Sequence, residues 1–210
     1  MPFLTPQPFP DDRVDTDMTA AAACIERDAD LMLRVREGDD VSFALLLEKH
    51  RRPVIHFLYR MVQNQAVSEE LAQEVFLRVY KARLSYEPTA KFTTWLFRIA
   101  SHLAINWLRD RRNERSQDSL DQPNADGTHV QVADTSLTRE EEMIRQTRLA
   151  EVRRAIEALP PKQRAAVMMH KYQEMGYAQI AKALNCSESA VKSLLFRAYE
   201  TLRTRLAHMV

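Results

Sequence analysis

Residues 176–206 read GYAQIAKALNCSESAVKSLLFRAYETLRTRL. Tyr177 to Leu184 is long enough for a short helix. Asn185 and Cys186 then turn the chain, and Ser187 is placed to cap a second helix. On that second helix Val191, Leu194, Leu195, Ala198, Leu202 and Leu206 fall on one face at the 3.6-residue period, so that face packs inward. Ser189, Lys192, Ser193, Phe196 and Arg197 fall on the other. Two helices across a tight turn, the second offering hydroxyls and cations from its first turns, form the pattern that places a helix in the DNA major groove. Ser, Lys and Arg at such positions reach base edges and phosphates.

Working outward, the composition fits an all-α protein. The 210 residues include only 3 glycines, with 45 % hydrophobic and 28 % charged residues. Cys24 and Cys186 are far apart, offering neither a disulfide framework nor metal-ligand spacing. No apolar run approaches a membrane span, and residues 1–28, with four prolines and no periodicity, read as a disordered tail rather than a signal peptide. Helical periodicity occupies residues 29–113, with Phe43, Leu46, Leu47, Val54, Phe57, Leu58, Met61 and Val62 in register and Pro53 placed to kink or divide the stretch. Residues 114–140 are polar and turn-rich, a flexible linker, and residues 141–210 are helical again, broken at Leu159–Pro161, Met175–Gly176 and Asn185–Cys186. The expectation is two small helical domains on an acidic tether.

The formal net charge is only +1, but it is unevenly distributed. Residues 91–115 hold 6 basic and 2 acidic side chains, and residues 143–210 hold 12 and 5, whereas residues 116–142 hold 1 and 7. Two basic blocks separated by an acidic one fit a chain that touches a polyanion twice.

Two further helices carry chemistry. Ser68 is placed to cap a helix with Glu69 and Glu70 in its first turn. Its core face is Leu71, Val75, Phe76, Val79 and Tyr80; the opposite face carries Glu70, Gln73, Glu74, Leu77 and Lys81, an apolar anchor in a polar rim, as a protein-docking face has. The next helix, expected over residues 92–112, buries Phe92, Leu96, Ile99, Leu103 and Trp107. Arg98, His102, Arg109 and Arg112 form a basic stripe on its other side with Ser101 beside them, able to follow a phosphate backbone. Tyr86 and Lys91 in the preceding loop, with Trp95, add the aromatic and cationic groups that suit unstacked single strands.

Together, SEELAQEVFLRVYKA, FTTWLFRIASHLAINWLRDRR and ALPPKQRAAVMMHKYQEMGYAQIAKALNCSESAVKSLLFRA resemble, in this order, the extracytoplasmic-function (group IV) sigma factors of bacterial RNA polymerase, within the sigma-70 superfamily. The resemblance implies cytoplasmic action on core polymerase, through its beta-prime clamp and beta flap, with an anti-sigma factor as a further partner, no cofactor, no metal and no membrane insertion. It implies that Glu70, Gln73, Glu74 and Leu77 dock on polymerase. It implies that Tyr86, Lys91, Trp95, Arg98, His102, Asn106 and Arg109 hold the single-stranded minus-ten element. It assigns Ser187, Ser189, Lys192, Ser193, Phe196 and Arg197 to the duplex minus-thirty-five element, and the acidic linker to the polymerase cleft. Leu194 and Tyr199 stand where the family usually carries basic residues, and His102 where many members carry Asn.

Two other classes compete. A free-standing helix-turn-helix regulator needs neither the docking helix nor the basic stripe of the first domain. A nucleic-acid enzyme needs clustered carboxylates for metal or an activated nucleophile, and no such cluster recurs in the sequence.

Overall fold

A computed structural model describes residues 28–117 and 139–209, all helices and connections with no strand among them. Helix α1 covers residues 28–36. It is followed by α2 (Asp40–Val62), α3 (Gln65–Lys81), a 3-10 turn (Arg83–Ser85), α4 (Phe92–Gln117), α5 (Arg139–Glu157), α6 (Pro161–Tyr172), α7 (Tyr177–Leu184) and α8 (Glu188–Leu206). Most of the expected linker and tail, residues 118–138 and 1–27, lies outside the described residues. At both ends of the linker the helices run further than expected: α4 reaches Gln117 and α5 begins at Arg139.

Local chemistry explains most boundaries. Gly38 joins α1 to α2 at φ +99°, a conformation in which a side chain would be strained. Asp39 then caps α2, accepting from the backbone N–H of Val41 and Ser42 at 2.9 and 3.2 Å. Pro53 does not divide α2; one helix runs through it. Gln63 closes α2 in the left-handed conformation, and Asn185 closes α7 the same way.

The start of α3 corrects the sequence reading. The cap is Asn64, whose side chain accepts from the Val67 N–H at 3.0 Å. Ser68 lies inside the helix, fully buried, and its hydroxyl donates back to the carbonyls of Asn64 and Gln65.

The first bundle packs α2, α3 and α4 around Leu46, Phe57, Leu58, Met61, Val75, Val79, Phe92 and Leu96. Helix α1 is tied to it by Asp28, which is buried and takes hydrogen bonds from Lys49 (2.7 Å) and His50 (3.0 Å) of α2. Burial by itself would raise the Asp28 carboxyl, but His50 and then Lys49 outweigh it and hold it below the ordinary range. The second bundle packs α6, α7 and α8 around Met168, Met169, Ile180, Leu184, Val191 and Leu195, with α5 laid against α8.

Instead of hanging apart on a tether, the bundles touch. Helix α4 packs against α7 and α6, and α2 packs against α6, so one apolar core runs through both. At the seam the buried Arg164 of α6 donates across to the Met61 carbonyl of α2, and within its own bundle to the Glu157 and Leu159 carbonyls at the end of α5. The Arg60 guanidinium lies 4.0 Å from the centre of the Tyr172 ring.

Candidate nucleic-acid interface and docking face

On α8 the expected division of faces is present. Val191, Leu195 and Ala198 are buried; Ser187, Ser189, Lys192, Ser193, Phe196 and Arg197 are exposed. Ser187 is the cap, accepting from the Ala190 N–H at 3.1 Å. The Ser193 hydroxyl donates to the Ser189 carbonyl at 3.1 Å, which leaves its lone pairs, but not its proton, for a ligand. Lys192 extends over the Tyr177 ring of α7, 5.9 Å from its centre, and that ring is stacked beside His170 of α6. Phe196 is 68 % exposed, the largest apolar group on this face. Leu194 and Tyr199, by contrast, are partly buried against the core and belong to neither face alone.

On α4 the basic stripe is also exposed: Arg98, His102, Asn106, Arg109 and Arg112 all face solvent, with Lys91 just before the helix. Ser101, expected beside the stripe, is instead fully buried and donates to the Arg98 carbonyl. Arg109 has Asp110 at 3.3 Å. Partial burial, then Arg98, then Lys162 of α6 hold the His102 imidazole below its ordinary pKa, which favours its neutral form.

Tyr86 requires a correction. It was expected to offer its ring to a strand, but it is only 2 % exposed. The loop packs it against Trp95 (centroids 5.0 Å apart) and Phe92 (6.3 Å), and His50 also lies against Phe92 at 5.3 Å. Burial, and after it the nearby Asp28, raises its phenol pKa, and its hydroxyl is buried without a partner. The half-buried Trp95 is the aromatic that reaches the surface, and Tyr86 backs it.

On α3, Glu70, Gln73 and Leu77 are exposed as expected, Leu77 at 52 %. Glu74 is half-buried and bound to Arg78 at 2.7 Å, which lowers its pKa and commits its carboxylate to its own helix. The sequence reading missed Leu84, exposed at 71 % on the 3-10 turn that follows α3, and the exposed Val41 and Leu45 near the start of α2. Leu84 was not visible as a surface group because nothing in the sequence fixed where α3 stops. Among the described residues, no three His, Cys, Asp or Glu side chains gather as metal ligands, and no helix is long and apolar enough to cross a membrane.

These faces fall inside two matched family regions. Sigma-70 region 2 covers residues 46–114, including α3 and the α4 stripe, and sigma-70 region 4 covers residues 149–202, including α7 and the exposed face of α8. The chain is 30 % identical to the RNA polymerase sigma-H factor of Pseudomonas aeruginosa over 180 residues, covering 84 % of this chain and 92 % of that protein. It is 31 % identical to the ECF RNA polymerase sigma-E factor of Haemophilus influenzae over 183 residues, covering 85 % and 95 %. The chain therefore belongs to the extracytoplasmic-function group of the sigma-70 family, and it is an RNA polymerase sigma factor. That family consists of transcription initiation factors rather than catalysts. The fold is shared with CnrH, solved in complex with the cytosolic domain of CnrY (TM-score 0.62, 18 % identity, 87 % of this chain and 98 % of that one). It is also shared with RpoE, solved with the anti-sigma factor NepR from Bartonella quintana (TM-score 0.62, 19 % identity, 79 % and 96 %).

Proposed function

We propose that this sigma factor holds the minus-ten element as single strand on α4 and reads the minus-thirty-five element as duplex with α8, while α3 docks on core polymerase in the cytoplasm. The observation that carries the reading is the pair of exposed polar faces, one on each bundle, inside regions 2 and 4. Arg98, Asn106, Arg109 and Lys91 supply donors for a phosphate backbone, and His102 adds a neutral hydrogen-bonding group. Trp95 supplies the surface for an unstacked base, with Tyr86 behind it as support. On α8, Lys192 is steadied over Tyr177 and reaches base edges, whereas Arg197, a turn further on, takes a phosphate. Ser187, Ser189 and Ser193 line the same groove wall, and Phe196 offers an apolar contact there.

Gln73 and Leu77, with Glu70, form the docking patch on the beta-prime clamp, and Leu84 extends it. Glu74 shapes the patch through its pair with Arg78. The second bundle meets the beta flap. The fold shared with RpoE supports an anti-sigma factor as a further partner. The linker, residues 114–140, takes the polymerase cleft.

Transcription of a randomised promoter library by core polymerase and this chain tests the reading. Wild type is expected to return two conserved elements. Lys192→Ala is expected to relax one position of the upstream element, and Arg197→Ala to weaken all sequences alike, each change costing about 1–3 kcal/mol. Start sites matching those of core polymerase alone would refute it.

A further inference from the structure

Trp95 is the aromatic that α4 brings to the strand face, and a wall of rings stands behind it. Its indole lies 5.0 Å from the Tyr86 ring and 6.0 Å from the Phe92 ring, centroid to centroid, tilted to both. Phe92 lies in turn 5.3 Å from the His50 imidazole of α2. Phe92, Tyr86, His50 and Asp28 are all buried, whereas Trp95 is half-buried. The wall ends at Asp28 in the first turn of α1, which pairs with His50 Nε2 at 3.0 Å and with Lys49 Nζ at 2.7 Å. Asp28 is also near enough to Tyr86 to raise its phenol pKa.

The two ends of this wall are held differently. The hydroxyls of Tyr86 and of Thr94, the residue before Trp95, are buried without a partner, so neither anchors the loop on α4 and ring packing sets where Tyr86 lies. At the far end the Asp28 carboxylate fixes the His50 ring through a hydrogen bond. Contacts between tilted rings depend on angle and separation, and a close-packed interior passes a displacement on to its neighbours. A turned His50 ring therefore moves Phe92, and Phe92 moves Trp95.

We propose that Asp28 and His50 are positioning residues for the single-strand site: Asp28 orients the His50 ring, and His50, through Phe92 and Tyr86, sets the tilt of the Trp95 face on which an unstacked base lies. The first turn of α1 thereby acts on strand capture from behind α4. The proposal rests on the assignment of α4 to the minus-ten strand. Stacking stabilises a base only while the two planes stay in contact, so a tilted indole holds it less well.

Two readouts in the full-length protein test this. The first is iodide quenching of the free protein carrying Trp107→Phe, which leaves Trp95 as the sole tryptophan. The second is binding of a dye-labelled single-stranded oligonucleotide, the minus-ten element returned by the promoter library, to holoenzyme. His50→Ala and Asp28→Asn should each change the quenching and weaken oligonucleotide binding several-fold, with affinity for core polymerase unchanged. His50→Gln, whose amide still donates to Asp28, should recover most of the loss. Phe92→Leu keeps an apolar filler but breaks the chain of rings, and should reproduce His50→Ala, so the test stands if that variant does not fold. Asp39→Ala removes the α2 cap and destabilises the same bundle without touching these rings; both readouts should stay at wild type. Folded His50→Ala or Phe92→Leu protein that matches wild type in both readouts, while Trp95→Ala loses oligonucleotide affinity, would overturn the positioning role alone. Trp95→Ala with wild-type affinity would sink the strand-site reading and this proposal with it.

Discussion

His102 shows how much a single side chain on this surface depends on both halves of the molecule. Its imidazole is on the exposed flank of α4, yet partial burial, Arg98 and Lys162 together favour the uncharged form. A histidine whose folded pKa lies below its ordinary value near 6.5 binds fewer protons in the native state than in the unfolded one. Its contribution to stability is present above that value and is lost as pH falls through the window beneath it. By NMR titration, His102 should titrate below 6.5, and Lys162→Ala should move it part of the way back up. An unchanged midpoint in that variant would mean that α6 does not lie against α4 in solution. The sequence showed His102 on the basic stripe, because helical period alone places it there. It could not show the depressed pKa, because Lys162 is sixty residues away in the chain and arrives only by folding.

At the scale of elements, period and caps carried most of the reading, and the failures have physical causes. The core faces of α3, α4 and α8 follow directly from apolar spacing. The start of α3 was misplaced because Ser68 followed by two glutamates imitates a capped first turn, while Asn64 holds the real cap and Ser68 turns its hydroxyl back onto its own helix. A loop tyrosine five residues before Lys91 reads the same in sequence whether its ring faces strand or core; the packing of Trp95 and Phe92 decides it for Tyr86. The exposed face of α3 was legible because an exposed Leu77 among polar groups leaves a mark in the pattern. Replacing Gln73 and Leu77 with alanine should weaken core-polymerase binding by about 1–3 kcal/mol with the fold intact, since neither side chain is in the core. Titration of core polymerase with each protein measures this; equal affinity would remove α3 from the interface.

For the whole molecule, the charge map and the fold meet in one arrangement. The chain presents a basic stripe on one bundle and a polar, cationic face on the other, and the two bundles pack against each other. The seam left no trace in the sequence, since its key acceptor is a backbone carbonyl that any residue would supply. Permanganate reactivity of thymines in the minus-ten element reads the division of labour between α4 and α8. With Arg98→Ala and Arg109→Ala combined, polymerase should still be recruited to the promoter through α8, so protection upstream persists while thymine reactivity in the minus-ten element falls at least tenfold. Full reactivity with those two arginines removed would contradict the account.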